Sequence, residues 1–214
     1  MRIVAGFLAF LVSGGTLLAA PPNEKAPWEW TVEERLAIRS DPAAAQERVK
    51  ASRNRLRATS NQAAQQRAVD SFNGSTHPEL FLPTEIFDEL MKLAFLLNPR
   101  VNDSFRKDME PTVAQYGLPR DFWERLRTLS VIYIADTNRV HEMGARKDRS
   151  QQELDRNYAM VCRSRVEALA RARKEFGAER FDRFLYGAIA RNMFNTSFGP
   201  EDPQALRQME AGCR

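Results

Sequence analysis

SQQELDRNYAMVCRSRVEALARARKEFG, residues 150–177, reads as one long helix with a start and a stop. Ser150 and Glu153 have the spacing of a capping box, and Gly177 supplies a left-handed exit. Leu154, Tyr158, Val161, Cys162, Leu169, Ala172 and Phe176 recur along a helical seam. The next segment, AERFDRFLYGAIA (178–190), puts Phe181, Phe184, Leu185, Ala188 and Ile189 on one face of a second helix. Upstream, LPTEIFDELMKLAFLL (82–97) gives Ile86, Phe87, Leu90, Met91, Leu93, Ala94 and Leu97 a broad apolar face on a helix near 84–97.

The same logic repeats along the chain. Thr31 and Glu34 form a capping box; Asp41-Pro42, Asn98-Pro99 and Asp202-Pro203 each place proline at a first helical position. Pro111 is expected to kink or split the helix that Pro99 opens. Gly117 closes that piece, and Phe122, Trp123, Leu126, Leu129, Tyr133 and Val140 suit the helical segment that follows. The run VIYI (131–134) is β-branched enough for a buried strand, but a lone strand has no partner. No internal repeat is visible. The class is therefore all-α: an irregular bundle of six to eight helices, with FNGSTHPELFLP (72–83) as a loop that tucks Leu80, Phe81 and Leu82 into the edge of the core.

At the other end, MRIVAGFLAFLVSGGTLLAAPPNEK (1–25) has the order of a secretory signal peptide: one Arg, an apolar run, small residues, then polar ones. The run is short for a membrane span. Residues 1–20 are read as a signal peptide cleaved after Ala19 or Ala20, with an uncleaved anchor as the alternative. No second stretch reaches membrane length, so the exported chain is expected to be soluble, and periplasmic or extracellular. Arginine outnumbers lysine 26 to 6, which hints at a GC-rich bacterial genome. Three Asn-x-Ser matches, at Asn73, Asn102 and Asn195, would matter only in a eukaryotic secretory pathway. In an oxidising compartment the two cysteines, Cys162 and Cys213, are expected to pair, tying the C-terminal tail to the long helix. An intermolecular bond and two free thiols are the competing readings.

A hydrophobic content of 43% is ordinary for a globular protein and gives no reason to expect wholesale disorder. The formal charge of +4 is unevenly spread. Residues 43–71 hold Arg48, Lys50, Arg53, Arg55, Arg57 and Arg67 against only Glu47 and Asp70, with no aromatic residue. That divides the chain into a polar, basic N-terminal helical arm (21–71) and an aromatic-rich helical body (72–214). The basic residues point all round a helix, and nothing aromatic is interleaved to stack on bases, so a nucleic-acid partner is not expected. A solvated surface is the plain reading. Weak electrostatic contact with an anionic lipid or polymer through Arg48, Arg53, Arg55 and Arg57 is the other, and it would collapse with salt. Ala45, Val49, Ser52, Leu56, Thr59 and Ala63 form a thin seam that can lie against the body or a partner helix.

Catalytic constellations are mostly missing. His141-Glu142 begins like a helical zinc motif, but position 145 is Ala where a second His is needed. No metal and no cofactor are expected. No Gly-x-Ser-x-Gly or Gly-rich phosphate loop is present, and a bridged cysteine is no nucleophile. Glu85, Asp88 and Glu89 are the weak catalytic candidates, as carboxylates for cleaving an envelope polymer; a solvated acidic face is the plainer reading. Trp28 and Trp30 are either an exposed recognition patch or anchors for the N-terminus, and anchoring is favoured. The residues thus describe an exported helical protein, a non-catalytic binding or structural component of the envelope or secretome acting on an unknown protein partner. The alternative is a small carboxylate-dependent hydrolase.

Overall fold

The computed structural model describes residues 25–57, 74–144, 146, 148, 150–193, 207 and 210. Among them are eight α-helices and no strand: α1 Val32–Arg39, α2 Pro42–Arg57, α3 Pro83–Met91, α4 Pro99–Gln115, α5 Phe122–Leu129, α6 Val131–Gly144, α7 Gln151–Phe176 and α8 Ala178–Phe184. Short 3-10 turns occupy Pro27–Glu29, Pro78–Leu80 and Ala190–Asn192. Two helices loosen into π-helical turns at their C-terminal ends, α3 over Lys92–Leu96 and α8 over Leu185–Ile189. The class is all-α, as the periodicity requires. The segment VIYI opens α6 rather than forming a strand.

Local chemistry sets most of the boundaries. Thr31 accepts the Glu34 N–H while Glu34 accepts the Thr31 N–H, so two orphan donors at the start of α1 are satisfied at once. Asp41 caps α2 by accepting from the N–H groups of Ala43 and Ala44. Asn98 caps α4 through the Val101 N–H, and Ser150 caps α7 through the Glu153 N–H. Gly177 leaves α7 at φ 84° and Gly117 follows α4 at φ 67°, a region that disfavours any side chain.

Three expectations need correction. Of the two outcomes expected at Pro111, a split is not found: α4 runs through it to Gln115. The proline is exposed and lies near the helix end, so the carbonyl it leaves unpaired can turn to water. Conversely, the segment from Phe122 to Val140 is two helices, broken at Ser130 (φ −109°, ψ 9°). The seam on α7 is also buried only in its C-terminal half, from Cys162 onward; Tyr158 is 58% exposed.

The core forms where α3, α5, α7 and α8 converge. Phe87, Phe122, Phe176, Phe181 and Phe184 pack together with ring centroids 4.9–6.3 Å apart, in tilted and edge-on geometries. Leu80, Phe81 and Leu82 are fully buried, Phe81 in the main core and Leu82 in a small cluster beside it. Gly74 closes this region: its N–H donates to the Met193 carbonyl at 2.8 Å, and an added Cβ would stand 1.4 Å from the Ala190 oxygen. Helices α6 and α7 pack along one another as a hairpin.

Candidate functional site

Helix α1 carries Arg35 and Arg39 one turn apart, on the same side as Leu36. All three are buried. Leu36 packs with Leu82 and Val32 in a small apolar cluster beside the main core. Both arginines therefore follow the apolar stripe into the body, and each must find partners there, because an unpaired buried guanidinium is prohibitively costly.

Arg35 solves this with backbone oxygens. Nε donates to the Glu79 carbonyl at 2.8 Å, one terminal nitrogen to the Pro27 carbonyl at 2.6 Å, and the other to the Trp30 carbonyl. Its guanidinium carbon lies 5.2 Å from the centre of the Tyr186 ring, so the charge also rests on a π face. Tyr186 in turn donates its hydroxyl proton to the Phe81 carbonyl at 2.9 Å. One side chain thus joins the 3-10 turn before α1, the turn before α3 and the π turn after α8.

Arg39 uses a carboxylate. It donates to both oxygens of Glu85, each at 3.0 Å, and Glu85 also accepts the Leu82 N–H at 2.7 Å to cap α3. Beside this pair, Arg48 of α2 donates through Nε to Glu79 at 2.9 Å, and Nδ1 of the buried His77 stands 3.0 Å from the same oxygen. Burial pushes the Glu79 carboxyl up, but the His77 hydrogen bond and the Arg48 charge outweigh it, and the group sits below its ordinary range. Arg48 also lies over the Trp30 ring at 4.6 Å. From the tail, Glu210 accepts a 3.0 Å hydrogen bond from the Thr84 hydroxyl. Burial holds its carboxyl above the usual range, against the opposing pull of that hydrogen bond and of Arg173 and Arg35.

The residues singled out from the sequence fall into three places. Trp28 and Trp30 are half-buried; Trp28 packs on the main core beneath Arg183, 5.5 Å from its ring, and Trp30 lies under Arg48. Glu85 and Arg48 belong to the seam just described. Asp88 and Glu89 do not: Asp88 accepts from the Tyr133 hydroxyl and lies 3.7 Å from Arg165, whereas Glu89 pairs with Lys92 at 3.6 Å. The side chains of Arg53, Arg55 and Arg57, and all of Cys213, lie outside the described residues. Cys162 is buried on α7, 3.7 Å from the Arg165 guanidinium.

Arg35, Arg39, His77, Glu79, Tyr186 and Glu210 were not foreseen. The available signal was the four-residue spacing of Arg35 and Arg39 astride Leu36, which places charge on an apolar stripe. Among the described residues no cluster of three or more His, Cys, Asp or Glu side chains is arranged to hold a metal ion. No described helix is long and apolar enough to cross a membrane. No protein family, no curated protein and no solved structure matches this chain.

Proposed function

We propose that the chain is an exported helical component of the cell envelope or secretome that binds a protein partner through a helix surface and performs no chemistry of its own. The observation that carries this reading is the employment of the candidate carboxylates. Glu85 gives both oxygens to Arg39, Asp88 accepts from Tyr133, and Glu89 stands beside Lys92. A hydrolase needs one carboxyl kept protonated and a second free to act, and these three are engaged structurally. A few large apolar side chains are left exposed as well. Val131 and Ile132 are 59% and 52% exposed at the start of α6, and Leu97 and Val101 flank the start of α4. The π turn that leads to Leu97 packs against α6, so the two pairs lie on adjoining elements.

Export implies a bridge between Cys162 and Cys213. In support, no described cysteine is a free thiol. A loop of this size contributes about 4 kcal/mol on the chain-entropy view.

The test uses the mature, oxidised protein on an envelope extract, beside a Val131→Asp/Ile132→Asp variant. A specific protein retained by the parent and lost by the variant, insensitive to added salt, supports binding through this face. Release of glycan fragments by both proteins supports the carboxylate hydrolase, and capture that vanishes with salt supports electrostatic docking of the arm.

A further inference from the structure

We propose that His77 is an acid sensor for the docking of α2, its imidazolium competing with Arg48 for one carboxylate oxygen of Glu79. Arg48 reaches from α2 to the 3-10 turn Pro78–Leu80, where its Nε donates to Glu79 Oε1 at 2.9 Å and a terminal nitrogen donates to the same oxygen. Nδ1 of His77 stands 3.0 Å from that oxygen as well. The Glu79 carboxyl is held below its ordinary range and is ionised at neutral pH, so it has no proton to give and Nδ1 donates. His77 is 2% exposed and the Glu79 side chain 11%, so water and salt screen this meeting point poorly. Three donors thus converge on one acceptor atom, and two of them belong to the side chain that ties α2 to the turn.

While the imidazole is neutral, the whole charge of Glu79 is available to Arg48. A proton on the other ring nitrogen makes His77 a second cation beside a carboxylate that neutralises only one. With α2 docked, the Arg48 charge disfavours the imidazolium. With α2 released, Glu79 faces His77 without that competitor and favours it. The released state therefore binds the proton more tightly, so docking is firmest above the imidazole range and weakens as pH falls through it. The other groups of the seam do not reproduce this sign. Arg35 of α1 donates to the Glu79 carbonyl and lies over Tyr186, whose proton burial retains, and Arg39 is paired with Glu85 of α3. Glu79 itself takes up its proton only below 4.5. Glu210, raised by burial, bonds to Thr84, and protonating it firms that contact.

Two measurements on the full chain test the sensor. The sequence holds two histidines, His77 and His141. Nitrogen NMR of labelled imidazoles follows both from about pH 5 to 8, with His141, exposed on α6, as internal reference. We expect Arg48→Gln to raise the His77 midpoint by about one unit, a tenfold change in proton affinity, and to leave His141 unmoved. The same His77 midpoint in parent and variant would refute the competition. The second measurement reads docking itself, as cleavage after Lys50 by a lysine-specific protease divided by its rate on an unfolded control at each pH. In the parent this ratio should rise several-fold from about pH 7.5 to about 5.5. In His77→Asn, whose amide nitrogen takes the place of Nδ1 as donor to Glu79, it should stay flat. A flat ratio in the parent, or an equal rise in His77→Asn, would overturn the sensor. The Arg48→Gln titration decides the question even where His77→Asn does not fold.

Discussion

Arg39 and Glu85 lie 46 positions apart and meet in a two-pronged pair, each oxygen of the carboxylate receiving a hydrogen bond of 3.0 Å. The Arg39 side chain is 1% exposed and that of Glu85 15%. The pair welds α1 onto the first turn of α3. Breaking a buried pair from one side leaves an uncompensated charge, which costs about 3–5 kcal/mol. Arg39→Ala and Glu85→Gln should each lose stability on that order in urea unfolding. Replacing both partners with apolar residues of similar volume should cost far less. Equal losses from the single and double variants would show that the energy lies elsewhere in the seam.

Arg35 predicts a different response, because its partners are carbonyls in three separate segments. Lysine keeps the charge but cannot reproduce the planar fork or the stacking on Tyr186. Arg35→Lys should therefore behave nearly as badly as Arg35→Ala. Hydrogen bonds to a charged group are worth about 1.5–3 kcal/mol, and for a domain of this size 1 kcal/mol moves the melting temperature by about 2–4 °C. A fall of roughly 5 °C for the lysine variant is expected by calorimetry. Faster proteolysis ahead of Thr31 should accompany it.

Gly74 offers a steric prediction. A Cβ there would meet the Ala190 carbonyl at 1.4 Å, and both groups belong to backbone. Neither can swing aside as a side chain would. Gly74→Ala must separate the turn at 74–76 from the end of the π turn, breaking the hydrogen bond from Gly74 to Met193. Overpacking that strains backbone costs about 1–3 kcal/mol or more. Amide exchange should speed up at residues 74 and 190–193 before the aromatic core is affected.

The parts of this fold that were legible in the sequence are those decided within one turn of chain. Thr31 with Glu34, Asp41 with Pro42 and Asn98 with Pro99 start helices through contacts three or fewer residues long, and each is found where its spacing puts it. The buried arginines were not legible for the opposite reason. Whether Arg35 is solvated or buried depends on carbonyls at 27, 30 and 79, which only tertiary structure assembles. Ser130 is a similar case: no proline or glycine marks the break, and its hydroxyl is buried without a partner. Nor does any local signal announce the π turns after α3 and α8. At the candidate site, Trp30, Arg48 and Glu85 were singled out, but as separate features. Their meeting through Glu79 and Arg39 is a property of the packing.

Glu210 carries the last prediction, and its sign is opposite to that of Glu79. The Glu79 carboxyl lies below its ordinary value of 4.5, so its share of stability is present above that value and fades as pH falls through the lowered one. Glu210 is raised above 4.5 by burial, so docking through it is strongest below that value and weakens as pH rises through the raised one. In a Cys213→Ser background, where no bridge holds the tail, proteolytic clipping at the C-terminus should therefore accelerate from pH 5 to neutrality by more than the protease's own pH dependence, measured on an unfolded control. Glu210→Gln keeps an acceptor for the Thr84 hydroxyl and removes the charge that burial penalises. That variant should hold its tail at neutral pH more firmly than the parent, and its clipping should lose the extra pH dependence. Faster clipping of the glutamine variant at neutral pH would mean that attraction to Arg173 and Arg35 outweighs the burial of the carboxylate.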